Sequence, residues 1–278
     1  TVQLNVSIHL ANVCCRTAQL RLGRAMGNTC SRTPTTAFTP TELHNAQRHL
    51  TGTNTEVIVL QTEEPSVQEH LEEFIIQAFM RNGMMEWVHE GLSMEEKEKG
   101  VAYMTRFILQ PVWGKGIVFA LIDTENPRNW LSVAACFPPD AKASTLDWIR
   151  AGWNLGRVPH QTSPGWKEAN FRLEAIRVTD ECHSKFFASQ RHWCLQNLAA
   201  GTSGKGHGSM MMLFLKNLVE EQQLPLWLET APDNLAFYRD KHKLVEHTVL
   251  ELQGKASRSF PCHCMVYNPQ SQSAESQM

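Results

Sequence analysis

Ser203-Gly204-Lys205-Gly206-His207-Gly208-Ser209 stands between an apolar run, His192 to Ala200, and a Met/Leu-rich stretch, Met210 to Val219. The order reads as strand, glycine loop and amphipathic helix. Glycines at alternate positions let the backbone turn tightly and bring its N–H groups close to a ligand. Those groups then sit at a helix N-terminus, where the first donors lack intrahelical partners and the dipole end is positive. That describes an anion site, most often one for phosphate. A Walker loop needs G-x-x-x-x-G-K-[ST], which these residues do not supply. The dinucleotide fingerprint G-x-G-x-x-G fits Gly204 and Gly206 but meets Ser209 at its third glycine. A nucleotide-binding, Rossmann-like oxidoreductase therefore stays open as an alternative, although only about seventy residues follow the loop.

Composition narrows the classes. The chain has 278 residues, 42% hydrophobic and 19% charged, with a formal net charge of −2. There is no basic run to mark a nucleic-acid footprint and no apolar stretch long enough for a membrane span. Eight cysteines are scattered, several inside apolar runs, and read as reduced, buried thiols of an intracellular, cytoplasmic protein. Residues 1–41 contain no Asp or Glu but carry Arg16, Arg21, Arg24 and Arg32. That composition fits an organellar (for instance mitochondrial) transit peptide or a disordered leader, dispensable for the fold in either case. The tail 269–278 is Gln/Ser-rich and expected to be disordered.

Between these ends the pattern, over 56–268, is one mixed α/β (α+β) domain. Glu56 to Gln61 reads as a first strand, and Pro65 opens a helix that Asn82-Gly83 ends. Ser93 with Glu96 forms a capping-box signature for a helix towards Trp113. Gly116 to Ile122 and Leu131 to Phe137 form a hairpin around Asn126-Pro127. Helices are expected over 144–155 and 166–189, with substrate specificity set by the helices in 66–113 and 143–190. A strand Pro225 to Glu229, a short helix containing Phe237 and Tyr238, and a closing antiparallel pair, 244–252 with 261–267, complete the domain. Cys262-His263-Cys264 alternates across a strand, so strand packing is expected and no metal site.

Several of these segments together resemble the GCN5-related N-acetyltransferase (GNAT) superfamily. Gly206 and Gly208 take the two glycine places of its Q/R-x-x-G-x-G/A loop. His192-Trp193-Cys194-Leu195-Gln196 is similar to the strand before that loop, and Pro225 to Thr230 to the strand after its helix. Asn234-Leu235-Ala236-Phe237-Tyr238 is similar to its N-x-x-x-Y signature. Val133 to Pro139 resembles a strand ending in Pro-Pro, typical of a branch common in fungi and protists. Ala78-Phe79, followed by Trp87, is similar to the first helix and the turn after it. Ser203 stands where the superfamily has Gln or Arg, and His242-Lys243 where it usually has Gly-Phe.

The resemblance implies a GNAT-like acyl-CoA N-acyltransferase fold. Its central sheet is mostly antiparallel, holds a splayed strand pair and is flanked by helices. It implies an N-acetyltransferase that uses acetyl-CoA, without a metal, on the primary amine of a small molecule or peptide by direct attack. Main-chain groups at Leu198 and Ala200 would hold the pantetheine arm. Ser203, Gly204, Lys205, Gly206, His207, Gly208 and Ser209 would hold the pyrophosphate, with Asn234 beside the cofactor. Tyr238 would be the general acid, and Glu229 or His192 the general base. A catalytically inactive, CoA-binding relative is the second alternative.

Overall fold

The strand Ile117–Asp123 is apolar at almost every position, and its residues divide between two cores. Ile117, Phe119 and Leu121 face one, and Val118, Ala120 and Ile122 face the other. A strand of this kind must be covered on both faces, and that dictates a helix–sheet–helix arrangement. In the computed structural model, residues 37–155, 178–187, 190–253 and 259–270 are described. In chain order they form α1 (Pro40–Ala46), β1 (Thr55–Val59), α2 (Pro65–Phe79), α3 (Gly83–Val88), α4 (Met94–Lys115) and β2 (Ile117–Asp123). Then come β3 (Trp130–Phe137), α5 (Thr145–Leu155), a helical segment 178–187, β4 (Trp193–Ala200), α6 (His207–Gln222) and β5 (Leu226–Thr230). A π-helical turn (Ala236–Lys241), β6 (Val245–Leu252) and β7 (Phe260–Tyr267) follow.

The strands form one seven-stranded sheet in the order β1-β2-β3-β4-β5-β7-β6. Neighbours are antiparallel except β4 and β5, which are parallel. This is the mostly antiparallel sheet with flanking helices that the sequence leads one to expect. Parallel neighbours require a crossover, and α6 supplies it. Its Met211, Met212, Phe214, Leu215, Leu218 and Val219 fill the core on one face of the sheet. On the other face, Leu71 and Ile75 of α2 pack with Leu109 and Val112 of α4 and with Phe187.

The elements read from the sequence recur with small changes. Asn82 does close α2, but its side chain also accepts from the N–H groups of Met84 and Met85, which starts α3 at once. Helix α4 runs past Pro111 to Lys115. The helix expected over 166–189 is seen at 178–187, while 166–177 lies outside the described residues, as do the leader 1–36 and the tail from 271. Cys262 and Cys264 are buried, whereas His263 on the opposite face pairs its Nδ1 with Glu246 at 2.7 Å.

The core also begins ahead of residue 56, the start that the sequence suggests. A capping box joins Thr39 and Glu42 at the head of α1, and Ala46 and Leu50 are buried against α6. Phe38 packs on Phe119 with ring centroids 5.7 Å apart. The Ala37 carbonyl accepts from Gln222 Nε2 at 2.7 Å. The sequence hides this because the segment is short and has little periodicity.

A chain starting at Pro40 should therefore melt lower than one starting at residue 37. Losing Phe38 removes about 1–2 kcal/mol of burial, or roughly 2–8 °C for a domain of this size. Equal melting temperatures by differential scanning calorimetry would show that Phe38 rests on the core without stabilising it.

Candidate functional site

Strands β4 and β5 share only two rungs, Trp193 with Leu226 and Cys194 with Trp227. Beyond them each strand stays with its other neighbour: β4 remains paired with β3 to Ala200, and β5 with β7 to Thr230. Strand twist then carries the two apart. A bulge adds to the twist, because Leu195 faces Cys136 and Asn197 faces Ala135, leaving Gln196 unpaired. From Leu195 to Ala200 the side of β4 towards β5 has no strand partner among the described residues, and Leu198 and Ala200 lie on this stretch.

The glycine loop lies just past the open end of β4. Gly204 and Gly206 have φ of +79° and +84°, a region in which a side chain is strained. A Cβ at either would meet nothing within 4 Å, so the backbone angle and not space selects glycine there. Ser203, Gly204, Lys205 and Gly206 are exposed. His207, Gly208 and Ser209 already belong to the first turn of α6, which has no side-chain cap at Gly206. The first helical bond is donated by the Met210 N–H to the Gly206 carbonyl. The N–H groups of residues 207–209 are thus left for a ligand or water. The sequence places all seven residues in a loop; the structure divides them between loop and helix.

Glu229 follows Trp227 on the same face of β5, just past the last β4–β5 rung. Its Oε1 accepts from Trp227 Nε1 at 2.5 Å. Burial pushes the carboxyl up to about 7, against the opposing effect of the indole, and the charge of Asp180 raises it further. The thiols of Cys194, Cys262 and Cys264 are themselves pushed up, by burial first and then by the Glu229 charge. They stay neutral and form a weakly solvating wall. The carboxyl is therefore divided between its two protonation states at neutral pH, the condition a general base needs.

His192 sits at the closed end of the pair, just before β4. Its Nδ1 lies 2.8 Å from the Gln190 carbonyl and its Nε2 lies 2.6 Å from Nε2 of His183. A carbonyl only accepts, so Nδ1 of His192 carries the proton and His183 donates to Nε2. Burial holds both rings below their ordinary value, His183 at about 4. His183 also stacks on Trp227 with centroids 5.2 Å apart. The structure thus links His192, through His183, to the indole that holds Glu229. Nothing in the sequence singles out His183.

Tyr238 lies in the π-helical turn and is buried in the core on the α6 side. Burial pushes its phenol above the ordinary value, so it remains a proton donor across the working range. The turn is short and wide, with the His242 N–H donating to the Phe237 carbonyl. Such turns often mark functional positions. Glu229 and Tyr238 consequently stand on opposite faces of the sheet. Asn234 ends a 3₁₀ turn, Pro232–Asn234, half-buried ahead of Tyr238. Asn197 Oδ1, His207 Nδ1 and His242 Nε2, buried near these elements, have no hydrogen-bond partner among the described residues.

No family model matches this chain, and no curated protein matches it. Among solved structures it is similar to a histone acetyltransferase HPA2 and related acetyltransferase from Corynebacterium glutamicum. That likeness has TM-score 0.49 and 14% identity, over 78% of this chain and 97% of the other. It is similar to the C-terminal condensation domain of Ebony, solved with beta-alanyl-dopamine, at TM-score 0.49 and 10% identity, over 77% and 98% of the two chains. It is also similar to a spermidine N-acetyltransferase from Vibrio cholerae, solved with CoA and spermine. There the TM-score is 0.40 and the identity 11%, over 78% and 96% of the two chains.

Proposed function

We propose that this chain is an acetyl-CoA-dependent N-acyltransferase of the GNAT kind, acting on a primary amine. The observation that carries the reading is the parallel pair that opens after two rungs, with an uncapped, glycine-led helix start just past its open end. Free strand edges suit an amide-rich arm such as pantetheine, and the 203–209 backbone suits its pyrophosphate. Lys205 adds a positive charge at the exposed side of that loop.

The chemistry follows from the two faces. An alkyl ammonium, with a pKa near that of lysine at about 10, must lose a proton before its nitrogen can attack. Glu229 takes that proton. The free amine adds to the thioester carbonyl, the C–S bond breaks, and Tyr238 gives its proton to the departing thiolate. The nitrogen loses its second proton to water, leaving an amide and CoA. A titration of the purified protein with acetyl-CoA, followed by turnover with a panel of primary amines, tests the whole reading. Stabilisation by NAD and not by acetyl-CoA would replace it with the oxidoreductase alternative.

Gly206→Val should leave a folded protein, judged by circular dichroism, that no longer binds acetyl-CoA in calorimetry. A β-branched residue does not hold a φ of +84°, so the first turn of α6 would re-form with its N–H groups misdirected. Unchanged affinity would remove the loop from the site.

Tyr238→Phe should lower kcat by about 10²–10⁴-fold with acetyl-CoA affinity and melting temperature nearly unchanged. Full kcat in this variant would reduce Tyr238 to a core aromatic.

For Glu229→Gln the pH dependence has two parts. The rate of the parent should rise through pH values near 7 as the carboxyl loses its proton, and the variant should lack that limb. Stability moves the other way. The folded carboxyl holds a proton that the unfolded chain releases between its ordinary value of 4.5 and about 7. The parent therefore loses stability as pH rises through that window. Glu229→Gln should match the parent near pH 5 and melt higher, by a few degrees, near pH 8. Parallel melting curves at both pH values would show that Glu229 is ordinarily solvated.

A further inference from the structure

Asn197 is 2% exposed, and its Oδ1 is buried with no hydrogen-bond partner among the described residues. Its place in the sheet is defined by the bulge. Counting along β3, Phe137 pairs with Cys194, Cys136 with Leu195 and Ala135 with Asn197. Asn197 is thus two levels beyond Cys194, although it is three residues further along the chain. On β5, Glu229 is two levels beyond Trp227, the partner of Cys194. Asn197 and Glu229 therefore stand at the same level on the two sides of the opening.

They also share a face. Ala135, opposite Asn197, and Cys264, opposite Glu229, both belong to the core on the α2 and α4 side. Both of these partners are small. Gln196, the bulged residue, turns its Nε2 to Cys194 Sγ at 3.1 Å and does not reach for the Asn197 amide. Without the bulge, Gln196 would occupy this level and Asn197 would point to the α6 side.

We propose that Asn197 and Glu229 together hold the ammonium group of the acceptor across the β4–β5 opening, each accepting one of its N–H bonds. Oδ1 is an acceptor that no donor among the described residues meets, and an ammonium N–H is the donor it lacks. The pair selects by chemical class. A primary ammonium has N–H donors for both acceptors and one more for water. A quaternary ammonium has none, and a hydroxyl acceptor has one. The division of labour is also fixed: an amide cannot take the proton, so the proton goes to Glu229 while Asn197 keeps the nitrogen in place. Asn197 is thus a positioning residue. Its catalytic consequence rests on the acyltransferase reading, whereas its binding of an amine does not.

The test uses the full chain labelled with ¹³C at the Glu carboxyls, with the Glu229 resonance assigned by its loss in Glu229→Gln. Titration with n-butylammonium near neutral pH should shift that resonance in the parent. In Asn197→Leu, similar in shape but without the amide, the dissociation constant should rise about tenfold or more, with acetyl-CoA affinity unchanged. The melting temperature should not fall, since an unpartnered amide has been removed. Asn197→Ala gives the same comparison should the leucine variant not fold. Tetramethylammonium should leave the resonance unmoved in every variant. No shift with n-butylammonium in the parent, or equal dissociation constants in parent and variants, would overturn the assignment. Acetylation of n-butylamine is assayed in parallel. Binding without product would support the amine site and count against acyl transfer. Product formed with the same KM in parent and variants would overturn the role of Asn197.

Discussion

Everything about the site depends on how little β4 and β5 hold each other. Each has a long antiparallel partner on its outer side, and the two rungs between them fix only their starting point. The covered faces do not allow the sheet to separate into two. Helix α6 spans the crossover on one side, while α2, α4 and the segment 178–187 lie across the other. The result is a gap in a sheet that is otherwise continuous, lined with unpaired backbone groups in the middle of a packed domain. Unpaired backbone groups in such a place are costly unless a ligand or water meets them.

The surroundings of that gap explain why one carboxyl behaves unlike the others. Glu229 is bordered by Cys194, Cys262 and Cys264 and by the ring cluster of Trp227, His183 and Phe187. None of these solvates a negative charge well, and the donors that oppose the shift are the indole N–H and the Glu229 backbone. Thiols and neutral imidazoles in place of serines and lysines keep the carboxyl ready to gain a proton. The His183–His192 pair extends this order outward, because it fixes the ring that stacks on Trp227. The same burial that raises Glu229 raises Tyr238 on the other face. One is thereby made a better base and the other a donor that keeps its proton.

The chain ahead of β1 makes a different contribution. Helix α1 buries Ala46 against α6, and Asn217 of α6 donates to the Ala46 carbonyl at 3.1 Å. The His49 ring lies between the Ala46 and Met210 carbonyls, with one ring nitrogen 3.1 Å from each. Met210 is the residue whose N–H closes the first turn of α6. These contacts brace the very helix end whose backbone faces the loop, so the N-terminal segment supports the site without entering it.

Local sequence was enough for a large part of this protein. The apolar run Ile117 to Ile122, the capping pair Ser93 and Glu96, and the glycines at 204 and 206 each act within a few residues. Their consequences, a strand, a helix start and a left-handed loop, can be read in place. The order of strand, glycine loop and helix was legible for the same reason. Tertiary structure decided what depends on residues far apart in the chain. The opening exists because β4 prefers β3 and β5 prefers β7, and pairing of that kind leaves no local signature. The raised carboxyl of Glu229 comes from cysteines and rings brought in from β4, β7 and the segment 178–187. Asn197 faces Glu229 only because one bulged residue, Gln196, shifts the register of β4 by one. In a strand a shift of one residue exchanges the faces, and a bulge is settled by the partner strand and not by the residues that form it.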